Sequence, residues 1–252
     1  MNDPYKVLAE VYDAVMDHVD YDRWARYLNA CLRAHDESVS SILELGAGTG
    51  SLAVRLQPMG NYRYVMTDGA PAMVRQARQK VDEASLPIRC DVARFTTVTL
   101  QGLGRRDGFD AIILVYDGLN YLTKIDEVRL CLERIRRCLR PGGLAVVDHA
   151  TPANSEDHDR EFFDRGTVGG TSYVRASRYD ASTGLHRSTF DIVHDGQHYQ
   201  EEHVQRPYAP AAIEAAIEAS GLYVSAAYDG FTFDPAHERS HRVHWLLERR
   251  EP

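Results

Sequence analysis

Leu43-Glu44-Leu45-Gly46-Ala47-Gly48-Thr49-Gly50 reads as the end of a buried strand, a glycine turn and the start of a helix. Apolar Ile42, Leu43 and Leu45 supply the strand, and Ser51 to Leu56 resumes at helical spacing. Three glycines at alternate positions let the backbone fold tightly and approach a ligand closely, because no Cβ intervenes. The helix that follows points free N–H groups at whatever occupies the turn. A turn that binds nothing also uses glycine, so the weight of this one comes from what flanks it.

Downstream the chain alternates. Tyr62–Met66, Pro87–Cys90, Ala111–Tyr116 and Leu144–Val147 read as further strands. Pro71–Ala84 and Glu127–Leu139 read as helices, the first with Pro at its opening position, the second stopped by Pro141-Gly142-Gly143. Near-continuous apolar strands between helices predict an α/β fold: a doubly wound, Rossmann-like, mostly parallel sheet covered on both faces. Upstream, residues 4–34 predict two helices from the spacing of Tyr5, Leu8, Val11, Tyr12 and Val15, then Trp24, Leu28, Cys31 and Leu32. Beyond residue 150 the rhythm changes. Thr151–Gly170 is polar and loop-like, and three period-two segments follow at Thr171–Tyr179, Leu185–Val193 and Gln197–Arg206. Turn residues separate them, as in an antiparallel β-meander. A helix at Pro210–Ser220 ends at Gly221, and two last strands lie at Tyr223–Tyr228 and Val243–Leu247. The expected organisation is a helical cap (1–37), a Rossmann-like core (38–150), inserted antiparallel strands acting as lid or dimer element (151–208), and a helix and strands completing the sheet (209–252).

Composition narrows the function classes. The 252 residues suit one large domain, and 44% hydrophobic with 26% charged residues is ordinary for a globular chain. A net charge of −8 argues against nucleic-acid or membrane partners. Cys31, Cys90, Cys131 and Cys138 form no CxxC pair, so neither zinc nor a disulfide framework is expected. Eleven histidines include His194, His198 and His203, and His237, His241 and His244, without ligand spacing; no metal is expected. The N-terminus lacks a cationic-then-apolar leader, and the expected location is cytoplasmic.

In a doubly wound sheet the ligand lies beyond the carboxyl ends of the strands. Polar residues stand at each predicted end. Glu44 and the glycines follow the first strand. Asp68 follows the second, about 20 residues beyond Gly46, where a carboxylate can accept from both hydroxyls of a ribose. It can equally cap the helix beginning at Pro71. Asp91 and Val92 follow the third, an acceptor for an exocyclic amine beside an apolar wall. Tyr116, Asp117, Asn120 and Tyr121 follow the fourth, and Asp148 and His149 the fifth.

These motifs resemble those of class I S-adenosylmethionine (SAM) dependent methyltransferases. Glu44, Gly46, Gly48 and Gly50 match the family's acidic-x-Gly-x-Gly-x-Gly pattern. Asp68 within VMTDGAPAMVRQA and Asp91 within CDVARF match its second and third acidic positions, and FDAIILVYDGLNYL and LRPGGLAVVD are similar to its later motifs. The resemblance implies SAM as cofactor. Gly46, Ala47, Gly48 and Gly50 would pack on its methionine part, Asp68 would hold the ribose, and Asp91 with Val92 the adenine. Met73 would lie near the adenine face or pack in the core. Tyr12 and Trp24 resemble residues that close over SAM in small-molecule members, and both also suit a helical core. The helical LAEVYDAVM, the YDGLNYL segment and the inserted strands are similar to sugar-type and glycine-type N-methyltransferases. Nucleic-acid adenine methylases carry Asn/Asp-Pro-Pro-aromatic where this chain has Tyr116-Asp117-Gly118-Leu119, so base flipping is not expected.

The activity implied is in-line methyl transfer to a small-molecule acceptor, more readily a neutral amine than a hydroxyl, which needs a base. Tyr116, Asp117 and His149 are the candidates to orient or deprotonate it; His149 also suits a structural role. Gly48-x-Gly50-x-x-Ala53 leaves a NAD(P)-dependent oxidoreductase as the alternative, and a non-catalytic SAM-binding protein as another.

Overall fold

The computed structural model describes residues 5, 7–157 and 161–250. The ends of the expected cap and of the last segment, and 158–160 of the expected loop, lie outside them. In chain order the elements are α1 (Leu8–Val15), α2 (Tyr21–His35), β1 (Ser41–Leu45), α3 (Ala53–Gly60), β2 (Arg63–Asp68), α4 (Pro71–Glu83), β3 (Ile88–Val92), β4 (Phe109–Leu114), α5 (Ile125–Cys138), β5 (Leu139–Ala150) and α6 (Pro152–Asp157). They continue with β6 (Glu161–Val168), β7 (Thr171–Asp180), β8 (Leu185–His194), β9 (Gln197–Gln205), α7 (Pro210–Ser220), β10 (Tyr223–Asp229) and β11 (Arg242–Glu248).

Seven strands form one sheet in the order β10-β11-β5-β4-β1-β2-β3. β1 to β5 run parallel, and β11 is antiparallel to both β5 and β10. The apolar strands are explained by two-sided burial. Ile112 and Leu114 enter the layer under α5 and α7, while Ala111, Ile113 and Val115 enter the layer under α2, α3 and α4. Burying each such large side chain contributes about 1.5–3 kcal/mol. The helices match this demand. α5 buries Val128, Cys131, Leu132, Ile135 and Cys138 along one stripe, and α2 starts at Asp20, whose carboxylate accepts from the Arg23 N–H at 2.8 Å.

The inserted sheet has four antiparallel strands, β6-β7-β8-β9, rather than the three expected. The extra strand, β6, and the short α6 occupy the stretch read as a loop. The β6–β7 link is Gly169-Gly170, both at positive φ, which gives the strand twist a two-residue turn needs. β5 also runs further than expected, through Pro141-Gly142-Gly143 at one end and to Ala150 at the other.

α1 is held between the two sheets. Its first turn lacks a local cap, and Glu201 on β9 supplies one: the carboxylate accepts from the N–H groups of Tyr5, Val7 and Leu8 at 2.7, 3.2 and 3.1 Å. Leu8, Val11 and Val15 pack on Tyr173, Phe190 and Ile192 of the insertion. On its other side Asp13 pairs with Lys80 at 2.6 Å and accepts from Thr49 Oγ1 at 2.5 Å, next to the glycine turn.

Candidate functional site

The chain order reverses between β1 and β4, and a crevice opens beyond the ends of those strands. It encloses about 520 Å³, within the range of small-molecule sites. Glu44, Gly46, Ala47, Gly48 and Asp68 form its floor; Tyr12, Trp24 and Met73 stand around it, and Tyr116 and Tyr121 close one end. At Gly48 the backbone has φ +56°, and an added Cβ would meet only the Tyr12 ring, 3.9 Å away. The turn there leaves space for a guest.

Asp68 shapes this floor. One carboxylate oxygen accepts from the Gly48 N–H at 2.9 Å and the other from the Ala70 N–H at 2.8 Å. It therefore links the glycine turn to the start of α4. Burial raises its pKa, and the backbone N–H groups oppose that shift. Glu44 is buried and accepts from Tyr64 Oη at 2.7 Å. Burial pushes its carboxyl up to about 8, so it is largely protonated at neutral pH.

Three residues expected at the cofactor stand off the crevice. Gly50 is turned into the core, where an added Cβ would lie 2.9 Å from Met66 Cε. Asp91 pairs with Arg89 at 2.8 Å, two residues earlier on the same side of β3. Val92 is 52% exposed. Arg94, Phe95 and Thr96 line the crevice instead. Tyr5 and Tyr21, not expected at the cofactor from the sequence, also line it; Tyr5 precedes α1, and Tyr21 opens α2 one turn before Trp24. Met73 is almost fully buried, packed with Ala9, Ala70 and Ala72, and still touches the crevice wall.

The expectation that His149 orients the acceptor is corrected by its surroundings. The residue is fully buried. Its Nε2 donates to the Tyr208 carbonyl at 3.0 Å and its Nδ1 accepts from Trp245 Nε1 at 3.1 Å. Both nitrogens are used, and burial lowers its pKa to about 4. It is a neutral structural histidine that does not line the crevice.

A second cavity of about 630 Å³ lies between the core and the inserted sheet. Tyr116 lines both cavities. Tyr116 and Asp117 have φ of +62° and +63°, a left-handed pair that non-glycine residues rarely adopt. Such backbone persists where neighbours over-determine it. Here the Asp117 N–H donates to Asp148 Oδ1 at 3.2 Å, and the Asp117 carboxylate pairs with Arg242 at 2.8 Å. Arg242 also pairs with the fully buried Asp148. Burial pushes Asp148 above the usual carboxylate range, and Arg242 opposes that shift. Asp117 thus lines the second cavity as one arm of an ion network rather than as a free base.

A family model described as a methyltransferase domain matches residues 42–143, the segment that supplies most of this crevice. The chain carries a methyltransferase domain on the class I fold, and its activity is SAM-dependent methyl transfer. This sets aside the oxidoreductase alternative, and SAM is its cofactor. The chain is 27% identical to YqeM of Bacillus subtilis (strain 168), over 97% of this chain and 97% of that protein. It is also 27% identical to the dTDP-3-amino-3,6-dideoxy-alpha-D-glucopyranose N,N-dimethyltransferase of Streptomyces fradiae, over 86% of this chain and 84% of that one. The same fold is seen in a SAM-dependent methyltransferase from Clostridium acetobutylicum ATCC 824, with TM-score 0.80, 19% identity and coverage of 98% and 99% of the two chains. No helix among the described residues of this methyltransferase is long and apolar enough to cross a membrane.

Proposed function

We propose that this methyltransferase acts on an amine nitrogen of a small polar molecule seated in the second cavity. The observation that carries the reading is the shared wall: a donor in one cavity and an acceptor in the other meet at Tyr116. The first cavity suits SAM. Gly48 leaves it open, Asp68 offers carboxylate lone pairs to ribose hydroxyls, and the aromatic side chains of Tyr5, Tyr12, Trp24 and Tyr121 line it, the residue type that attracts a cation. When bound, SAM supplies a methyl already activated on a sulfonium. The side chains have to hold the acceptor lone pair in line and exclude water, and positioning of this kind contributes up to ~7–11 kcal/mol.

An amine that arrives neutral needs no base. The junction agrees with that requirement. Asp117 is neutralised by Arg242, and burial raises the phenol of Tyr116, and that of Tyr121 to about 12, so both keep their protons. The S. fradiae relative is named for N,N-dimethylation. Phe162, Asp164, Arg175, Ser177 and Ser188 of the inserted sheet wall the second cavity, which favours its use as a roof over the acceptor. With SAM and a panel of amino sugars and their hydroxyl counterparts, mass spectrometry should find S-adenosylhomocysteine (SAH) and singly methylated products with the amines only. Methylation confined to the hydroxyl compounds would overturn the amine assignment.

A further inference from the structure

We propose that Arg175 grips an anionic group, a carboxylate or a phosphate, carried by the methyl acceptor; this rests on the second cavity being the acceptor's seat. Arg175 stands mid-strand in β7 and lines that cavity. Its guanidinium lies over two rings, 5.1 Å from the Phe162 centroid and 5.7 Å from that of Phe190. The rings fix the plane of the fork and accept none of its N–H groups in conventional hydrogen bonds. Among the described residues Arg175 makes no hydrogen bond or ion pair, and its Nε is buried. A buried donor left unmet costs free energy, which a ligand would recover.

A carboxylate is near, yet Arg175 does not take it. Asp164 faces Arg175 across the β6–β7 register and lines the same cavity. Its oxygens accept instead from the Arg165 N–H at 2.7 Å and Tyr173 Oη at 3.3 Å. The other arginine of the cavity, Arg242, is committed to Asp117 and Asp148. One rigid, charged fork therefore remains unmatched in a cavity that reaches Tyr116. Its geometry suits two oxygens side by side, as in a carboxylate or phosphate. Arg175 and Tyr116 line the same cavity, so the fork and the junction face one space. An acceptor anchored at Arg175 by its anion would present its amine end toward Tyr116. Asp17 and Asp164 stand on the same walls, so the grip of Arg175 has to outweigh their repulsion of the anion.

Calorimetry on the SAH-saturated protein tests this, with inorganic phosphate, malonate and neutral sorbitol as probes. The wild type should bind phosphate or malonate and not sorbitol, and the anion that binds identifies the chemistry. Arg175→Met should weaken that anion by about tenfold or more with SAH affinity and melting temperature unchanged. Arg175→Lys keeps the charge without the fork and should fall between. Equal anion affinity in wild type and Arg175→Met, or no anion binding to SAH-loaded wild type, would overturn the proposal. A wild type unable to bind SAH would instead remove the reading of the first cavity on which it rests, so the two failures are distinct.

Discussion

Arg242→Met should destabilise the protein by about 3–5 kcal/mol, read as a drop in the urea midpoint. Arg242 is the counter-charge for a fully buried Asp148 and for Asp117. Removing it leaves two carboxylates close together, one with no access to water. It also releases the contact that holds the left-handed Tyr116-Asp117 pair. The loss should shrink at acid pH, where Asp148 can take a proton and the buried charge disappears. Adding Asp148→Asn should restore part of the stability for the same reason. A loss below about 1 kcal/mol would show that the network is no stronger than an exposed ion pair.

Asp68→Ala should weaken SAH binding by about a hundredfold while costing about 1–2 kcal/mol of stability. The two effects come from different partners. The Ala70 N–H opens α4, and losing its acceptor is the loss of a helix cap. The Gly48 N–H belongs to the turn beneath the crevice, and losing its acceptor loosens the floor on which the cofactor rests. Titration calorimetry and thermal melting separate them. An unchanged dissociation constant with a lowered melting temperature would make Asp68 a cap and nothing more.

The crevice was legible because it is built from backbone that only particular residues allow. Alternating glycines after an apolar strand and an acidic residue after the next one specify a turn and its partner, and Gly48 and Asp68 meet at 2.9 Å. The parallel order was legible because strands buried on both faces have to be apolar throughout. His149 misled because the apolar run stops before it while β5 continues to Ala150. The antiparallel pairing with β11, where His149 faces Val243, carries it inside the sheet rather than to the rim. Asp91 does not line the crevice for a related reason: β3 runs to Val92, so Asp91 remains within the strand and meets Arg89 on the same side. β6 was missed because adjacent Phe162 and Phe163 break the period of two. Gly169-Gly170 before Thr171 was the available hairpin signal. The strain at Tyr116-Asp117 has little local signature: Asp visits positive φ more readily than most residues, but Tyr does not, and two such residues in a row are rare. It is imposed by Arg242, more than a hundred residues away in the chain.

The central claim, a SAM-shaped crevice at the strand ends, is tested most directly by calorimetric titration of SAH into wild type and Gly48→Leu. A leucine side chain at Gly48 would fill the open space beside Tyr12, and its positive φ costs only about 1–2 kcal/mol, so the variant should stay folded. The account predicts one-to-one SAH binding by the wild type and none by folded Gly48→Leu. No binding by the wild type, or equal affinity in the two proteins, would contradict it.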